Sequence, residues 1–159
     1  MSQTFLRQTF LRRTILGLGL GGAVGALLAR TTTPSYAATE AYKADLKGSS
    51  EVPANDTKGT GSVTATYDPA TKELSWKGSY SGLTGDVTAA HFHGPAEAGK
   101  NAGVAIWIST KGSPFPSPFE GKATLTDAQA ADLEKGLWYA NFHTAANPGG
   151  ELRGQMMKG

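Results

Sequence analysis

The chain has 159 residues, with 15 basic residues, 13 acidic residues, three histidines and no cysteine. The absence of cysteine excludes disulfides, thiolate metal ligands and the usual blue-copper site, which needs a thiolate. The sequence has no run of Lys and Arg interleaved with aromatic residues, so it predicts no nucleic-acid partner.

Residues 1–37 have the three parts of an export signal. Arginines come first, an apolar and glycine-rich run follows at residues 15–28, and small residues before Ala38 suit cleavage there. The apolar run is shorter than the roughly 20 residues of a membrane-spanning helix, and an uncleaved anchor is the alternative. We therefore predict a mature domain of residues 38–159 that is periplasmic or secreted and, once the signal is removed, not bound to a membrane.

The pair Arg12-Arg13 resembles the twin-arginine signal, which implies export of a folded protein, although ordinary Sec signals also carry arginines. Removal of residues 1–37 removes four arginines and no acidic residue. The mature domain then has 11 basic and 13 acidic residues, a net charge of about −2. The basic character of the whole chain is thus a property of the signal.

The mature domain consists mostly of short segments in which apolar and polar residues alternate, separated by Gly, Pro, Asn and Asp. Alternation with a period of two is typical of half-buried strands, and those separators predict turns. The predicted strands cover residues 42–46, 61–67, 73–80, 87–93, 102–109, 119–125, 137–143 and 151–157. This pattern predicts an all-β fold, an antiparallel, Greek-key-like β-sandwich or flattened barrel of about seven or eight strands.

One short helix interrupts the strands. Thr126 and Gln129 have the spacing of a capping box, in which each side chain bonds the other residue's backbone. This predicts a helix from about Asp127 to Lys135, ended by Gly136. The proline-rich residues 113–118 predict a rigid connector.

The three histidines are the strongest functional signal. His91 and His93 lie two residues apart in one predicted strand and therefore share a face, and His143 lies in another strand. In both strands the apolar residues, such as Phe92 and Phe142, have the opposite parity. We therefore expect the histidines on the outer face of the sheet, under loops, with the apolar residues in the core.

Three imidazoles are enough to bind Cu²⁺ or Zn²⁺ and to leave a position open for water or a substrate. The sequence thus predicts a metal site formed by His91, His93 and His143. The alternative is that the first two are surface residues and that His143 anchors a turn. Convergence of the three rings on one point decides between these hypotheses.

Three segments resemble the CHRD domain, which occurs widely in exported bacterial proteins. They are residues 46–53 near the start, residues 90–96 around the histidine pair, and residues 141–155 at the end. Together they span almost all of the mature domain. The resemblance implies a single CHRD domain over residues 38–159.

A weaker similarity is to copper-zinc superoxide dismutases. His91 and His93 look like the paired copper ligands of that family, His143 like the late one, and residues 148–153 like the segment that carries an arginine. The chain departs from the family in lacking a bridging histidine, a zinc loop and a disulfide. Arg153 would attract an anion to an open metal position if it faces the histidines; the alternative is a surface salt bridge to Glu151 or another acid.

The first hypothesis is therefore a metal-binding protein, with copper favoured over zinc, that serves in copper binding, delivery or tolerance. The second is a structural or protein-interaction module with a periplasmic partner, presenting Trp107, Tyr139 and Phe115 as exposed aromatics. The third is a mononuclear copper enzyme similar to superoxide dismutase. No serine, cysteine or free histidine is arranged for nucleophilic catalysis.

Overall fold

The computed structural model describes residues 38–109 and 115–159, so the predicted signal at residues 1–37 lies outside the described residues. The described part contains nine strands, one 3₁₀ turn at Gly48–Ser50 and one helix. The strands are β1 (Glu40–Lys47), β2 (Thr60–Asp68), β3 (Glu73–Ser81), β4 (Val87–His93), β5 (Val104–Trp107), β6 (Phe119–Thr124), β7 (Tyr139–Thr144), β8 (Leu152–Gln155) and β9 (Met157–Lys158). The helix is α1 (Asp127–Glu134). Within those ranges, no helix has the length and apolar character that a membrane crossing needs.

All strand pairs are antiparallel, and the strands form one sheet in the order β5-β4-β7-β8-β1-β2-β3-β6, with β9 paired to β1. The sheet curls into a nearly closed, flattened barrel whose edges are β5 and β6. This confirms the predicted all-β antiparallel fold with one short helix. Because β4 and β7 are neighbours, the two histidine-bearing strands lie side by side.

The core lies inside the barrel and consists of the alternate apolar side chains that each strand directs inward. Phe92, Ala140 and Phe142 are fully buried, and Trp138, just before β7, is nearly so. The β2–β3 hairpin contributes the predicted alternate residues, including Val63 and Leu74. Burial of about 25 cal/mol for each Å² of apolar surface makes this core the main stabilising term.

Helix α1 begins and ends as the sequence predicts. The Thr126 hydroxyl accepts from the Gln129 backbone N–H, and the Gln129 side-chain oxygen accepts from the Thr126 N–H. Gly136 follows with φ of +70°, a left-handed conformation that ends a helix at little cost in glycine. The Gln129 amide also donates to the Ala105 carbonyl and so satisfies one free group on edge strand β5.

Strand β5 is shorter than predicted, and its face pattern differs. Strict alternation along residues 102–109 would place Val104, Ile106 and Ile108 on one face, but Val104 pairs with His93 and Ile106 with Phe92. The register shifts between Phe92 and His93, which leaves Ala105 as an extra residue. Such a β-bulge reverses the parity beyond it, so Val104 lies on the outer face and is exposed.

The last predicted strand, residues 151–157, is also divided. Met156 is fully buried and its N–H donates to the Trp138 carbonyl, between β8 and β9. The chain thereby leaves its pairing with β7 and continues in β9 beside β1. Met157 is consequently exposed on β9.

Candidate metal centre

The three histidines converge on one side of the sheet. His91 and His93 project from β4, His143 projects from the adjacent β7, and one candidate ligand nitrogen from each lies within 4.8 Å of the others. The three rings therefore form a compact cluster (the trihistidine cluster). They occupy the face opposite Phe92 and Phe142, as parity predicts, and this face is covered by loops.

Backbone carbonyls hold two of the imidazoles in place. His93 Nδ1 lies 3.0 Å from the Ala102 carbonyl and His143 Nδ1 lies 3.0 Å from the Pro148 carbonyl. A carbonyl only accepts, so both Nδ1 atoms carry the proton and the lone pair of each ring lies on Nε2. Histidines that bind metals are commonly oriented in this way by a second hydrogen bond.

The imidazole of His91 is hydrogen-bonded to the imidazole of His143. His91 Nδ1 lies 3.2 Å from His143 Nε2. Because His143 Nε2 is the acceptor, His91 Nδ1 donates, and the lone pair of His91 lies on Nε2. The Nε2 atoms of both His91 and His93 are buried without a hydrogen-bond partner. Two unpartnered, buried lone pairs in one cluster are unusual in a folded protein.

Burial keeps the cluster uncharged. His91 is 7% exposed, and burial, followed by the proximity of His143 and His93, lowers its pKa to about 4. Burial is also the main cause that lowers the pKa of His93 and of His143. All three rings are therefore neutral at pH 7, the form in which imidazole binds a metal.

Two aromatic side chains pack against the ligand rings. The Trp107 ring lies edge-to-face with His91, with centroids 4.1 Å apart, and the Tyr139 ring stacks on His93 with centroids 4.9 Å apart. Trp107 is 46% exposed, as predicted, whereas Tyr139 is buried and the prediction that it is exposed was wrong. Phe115 is half-buried, packed against Phe119 in the core.

Arg153 faces the same side of the sheet but is not a surface residue. It is 2% exposed, and its guanidinium lies 3.5 Å from the centre of the Tyr139 ring. Its nitrogens donate to the Asn101 side chain and the Lys100 carbonyl. A surface salt bridge to Glu151 was therefore a wrong alternative. Tyr139, on the strand between those of His93 and Arg153, contacts both side chains.

Sequence reasoning missed a buried acid beside the cluster. Glu51, in the loop after β1, is 7% exposed and accepts from the Asn141 side chain. Asn141 pairs with both His91 and Arg153 across the sheet. Burial raises the pKa of Glu51 to about 7, although Arg153 and the hydrogen bonds oppose that rise. The alternation along β7 predicts that Asn141 lies on the same face as His143. No local pattern predicts that Glu51 contacts Asn141.

A second acid, Glu151, organises the loops on the other side of His143. Its carboxylate accepts from the hydroxyls of Thr57, Thr84 and Thr144 at 2.6–2.7 Å and from the Thr84 N–H at 2.8 Å. Burial acts to raise its pKa, but these hydrogen bonds outweigh burial and lower the pKa to about 2. Glu151 is therefore ionised, and its oxygens are occupied by these hydrogen bonds. It is not a ligand of the trihistidine cluster.

The cluster fits a single metal ion in its chemistry. A bound ion lies about 2.0–2.1 Å from each imidazole nitrogen, which places the nitrogens at most about 4.2 Å apart. The candidate nitrogens lie within 4.8 Å of one another, so the rings have to move closer to bind an ion, and the hydrogen bond between His91 and His143 has to open. Nitrogen donors of this kind suit copper and zinc.

A family comparison matches the model of the CHRD domain to residues 42–156. The chain belongs to the CHRD domain family. The match extends from the first strand to the residue between β8 and β9, so the CHRD domain contains the whole trihistidine cluster. No curated protein and no solved structure matches the chain. The similarity to copper-zinc superoxide dismutases stays a prediction.

Proposed function

We propose that this CHRD domain protein binds one copper ion through His91, His93 and His143. Its role is copper binding, delivery or tolerance in the periplasm or outside the cell. Zinc is the second candidate metal. The observation that carries the proposal is the convergence of three neutral imidazoles, of which two are oriented by carbonyls and two have buried, unpartnered Nε2 atoms.

Several features of the cluster support binding more than catalysis. The ligand nitrogens are shielded by Trp107 and by the loops that contain Ala102 and Pro148. Arg153 is engaged by Lys100 and Asn101 and is separated from the rings by Tyr139. An enclosed set of ligands favours retention of an ion, whereas a catalytic metal keeps a position open to substrate.

The test is metal analysis of the purified full chain, followed by titration with copper and with zinc. We expect one equivalent of copper, and loss of that binding in the double variant H91A/H93A. The matched control is T64A, an exposed strand residue of β2, four strands away from β4. Because the sequence has only three histidines, residual binding cannot come from other imidazoles. Unchanged copper binding in H91A/H93A would overturn the proposal.

An interaction module is the second candidate function, and one observation favours it. Val104 and Trp107 are both exposed on the short edge strand β5, at 47% and 46%. Exposed apolar groups at a sheet edge are typical of protein contacts. Loss of a periplasmic partner in V104S, with copper binding retained, would identify this role.

A copper-dependent superoxide dismutase is the remaining candidate from the sequence. Its test is a superoxide assay of the copper-loaded chain, with the H91A/H93A variant as the blank. Activity that disappears with the two histidines would establish the enzyme, and equal rates in both proteins would exclude it.

A further inference from the structure

The imidazole of His93 is held from two sides. Its Nδ1 atom lies 3.0 Å from the Ala102 carbonyl, and its ring is stacked on the Tyr139 ring with only 3° between the two planes. His93 and Tyr139 are opposite each other in the β4–β7 pair, so the stack follows from the register of the sheet. The orientation of His93 therefore depends on the positions of Tyr139 and Ala102.

The hydroxyl of Tyr139 holds Ala102 in turn. Ala102 lies in the loop between β4 and β5, and its N–H donates to the Tyr139 hydroxyl at 3.1 Å. The same hydroxyl donates to the Ala102 carbonyl over a longer distance of 3.4 Å. A hydrogen bond at 3.1 Å lies in the ordinary range, so the N–H contact is the stronger of the two. Tyr139 thus fixes the residue whose carbonyl accepts from His93.

These contacts form a closed circuit of three residues. The ring of Tyr139 contacts the ring of His93, the hydroxyl of Tyr139 contacts Ala102, and the carbonyl of Ala102 contacts His93. A carbonyl fixed beside one ring nitrogen determines which nitrogen carries the proton and where the other nitrogen points. In His93 it leaves the lone pair on Nε2, the nitrogen that is free to bind a metal.

Packing alone does not require the hydroxyl. A phenylalanine would present the same ring to His93 and to the Arg153 guanidinium on the other side. Within residues 38–109 and 115–159, both hydrogen bonds of the Tyr139 hydroxyl are made to Ala102. The hydroxyl is therefore suited to placing Ala102, and its effect on His93 is separable from that of the ring.

From these contacts we propose that Tyr139 is a positioning residue of the trihistidine cluster. Its hydroxyl fixes Ala102, and the Ala102 carbonyl holds His93 with the proton on Nδ1 and the lone pair on Nε2. The consequence for metal affinity rests on the proposed function. The tautomer of His93 is a property of the metal-free chain, so it is measured independently of any metal.

The first test is nitrogen NMR of the histidine rings in the metal-free full chain and in Y139F at pH 8, where the lowered pKa values keep the rings neutral. We expect His93 to be protonated on Nδ1 in the unmodified chain and to become a mixture of tautomers in Y139F. His143 is the internal reference, because its Nδ1 donates to the Pro148 carbonyl. An unchanged His93 tautomer in folded Y139F would overturn the inference.

The matched control is Y42F. Tyr42 is also buried, and its hydroxyl also has a hydrogen-bond partner, the carboxylate of Glu40 in the same strand β1. Y42F therefore removes a buried, hydrogen-bonded hydroxyl without touching Ala102. We expect the ring signals of His93 to be the same in Y42F as in the unmodified chain, and an equal change in both variants would overturn a specific role of Tyr139.

The second test is titration of the same proteins with copper and with zinc. We expect the dissociation constant of Y139F to rise about tenfold, because loss of groups that orient a ligand weakens metal binding by that order, and that of Y42F to stay unchanged. Equal affinity in Y139F and the unmodified chain would overturn the inference and leave the three-histidine site standing. If the unmodified chain binds neither metal, the proposed function fails, and the tautomer still decides the role of Tyr139.

A measurement on the unmodified chain covers the case in which Y139F does not fold. Amide hydrogen exchange reports whether the Ala102 N–H is held by the Tyr139 hydroxyl. We expect it to exchange at least about tenfold more slowly than the amide of Gly99, an exposed residue of the same loop, after correction for intrinsic rates. Equal exchange at the two positions would overturn the inference.

Discussion

The buried carboxyl of Glu51 has a pKa close to neutrality, and this makes it a measurable contributor to stability. Burial raises its pKa to about 7, whereas an unfolded chain would have about 4.5. The folded state therefore binds the proton more tightly. The stabilisation of the folded state that comes from protonation of Glu51 is fully present below about pH 4.5 and is lost as the pH rises towards 7.

We predict that E51Q is more stable than the unmodified chain at pH 8, by about 1–3 kcal/mol, and equally stable at pH 4.5. Glutamine keeps the oxygen that accepts from Asn141 but has no charge to bury. Urea unfolding at the two pH values measures the difference, with the exposed E120Q as control. Lower stability of E51Q at pH 8 would contradict the prediction.

Glu151 behaves in the opposite way, because its ionised form is the one that the fold stabilises. We predict that E151Q costs about 2–3 kcal/mol at pH 7, since an amide nitrogen would face hydroxyl and N–H donors from Thr57, Thr84 and Thr144. Thermal unfolding measures the loss. In the unmodified chain the stabilisation by Glu151 is present above about pH 4.5 and disappears towards pH 2. A neutral effect of E151Q at pH 7 would show that these contacts contribute little.

At the scale of the elements, helix α1 depends on its capping box. We predict that T126A lowers the free energy of unfolding by about 1 kcal/mol, because the Gln129 N–H loses its side-chain acceptor. T126S, which keeps the hydroxyl, is the matched control and should behave like the unmodified chain. Chemical denaturation of both variants checks the prediction, and equal losses in T126A and T126S would contradict it.

The elements also show what local sequence can predict. Strand parity placed Phe92 and Phe142 in the core and the histidines outside it, because alternation is a property of the strand itself. It failed at β5, where the extra residue Ala105 reverses the pattern, since a bulge arises from pairing with β4. Parity also gave the buried face of Met156, which lies in the core with Leu152, but not the break in the strand there, where the Met156 N–H donates to the Trp138 carbonyl. Local sequence patterns do not contain information about how distant segments pair.

Local sequence likewise predicts some features of the candidate site and not others. The three histidines and the face they occupy follow from spacing within two strands. Their convergence depends on β4 and β7 being neighbours, which connects residues about fifty positions apart. The burial of Tyr139 and Arg153 depends on loop residues 100–102, whose positions no periodicity predicts.

At the scale of the whole molecule, the neutral histidines couple stability to pH. Burial lowers the pKa of all three, that of His91 from 6.5 to about 4, so the unfolded chain binds protons more readily. In metal-free E51Q, which lacks the opposing effect of Glu51, we predict that stability falls steadily as the pH decreases from about 6.5 to 4. Unfolding midpoints across this range test it, and a flat profile would contradict it.

A bound ion should stabilise the entire domain, because the unfolded chain has no preformed cluster. At a free copper concentration 100 times the dissociation constant, we predict a gain of about 2.7 kcal/mol. The unfolding temperature should rise with copper in the unmodified chain and not in H91A/H93A. Calorimetry measures both, and an equal rise in the two proteins would place the effect outside the cluster.

The loop between β4 and β5 contacts every member of the row formed by His93, Tyr139 and Arg153. The Ala102 backbone bonds both His93 and the Tyr139 hydroxyl, and residues 100 and 101 accept from Arg153. One short connection thus sets the position of a ligand ring, of the aromatic ring behind it and of the nearby cation together. A change in the length or sequence of this loop would therefore shift these three side chains together, without any substitution at the three histidines.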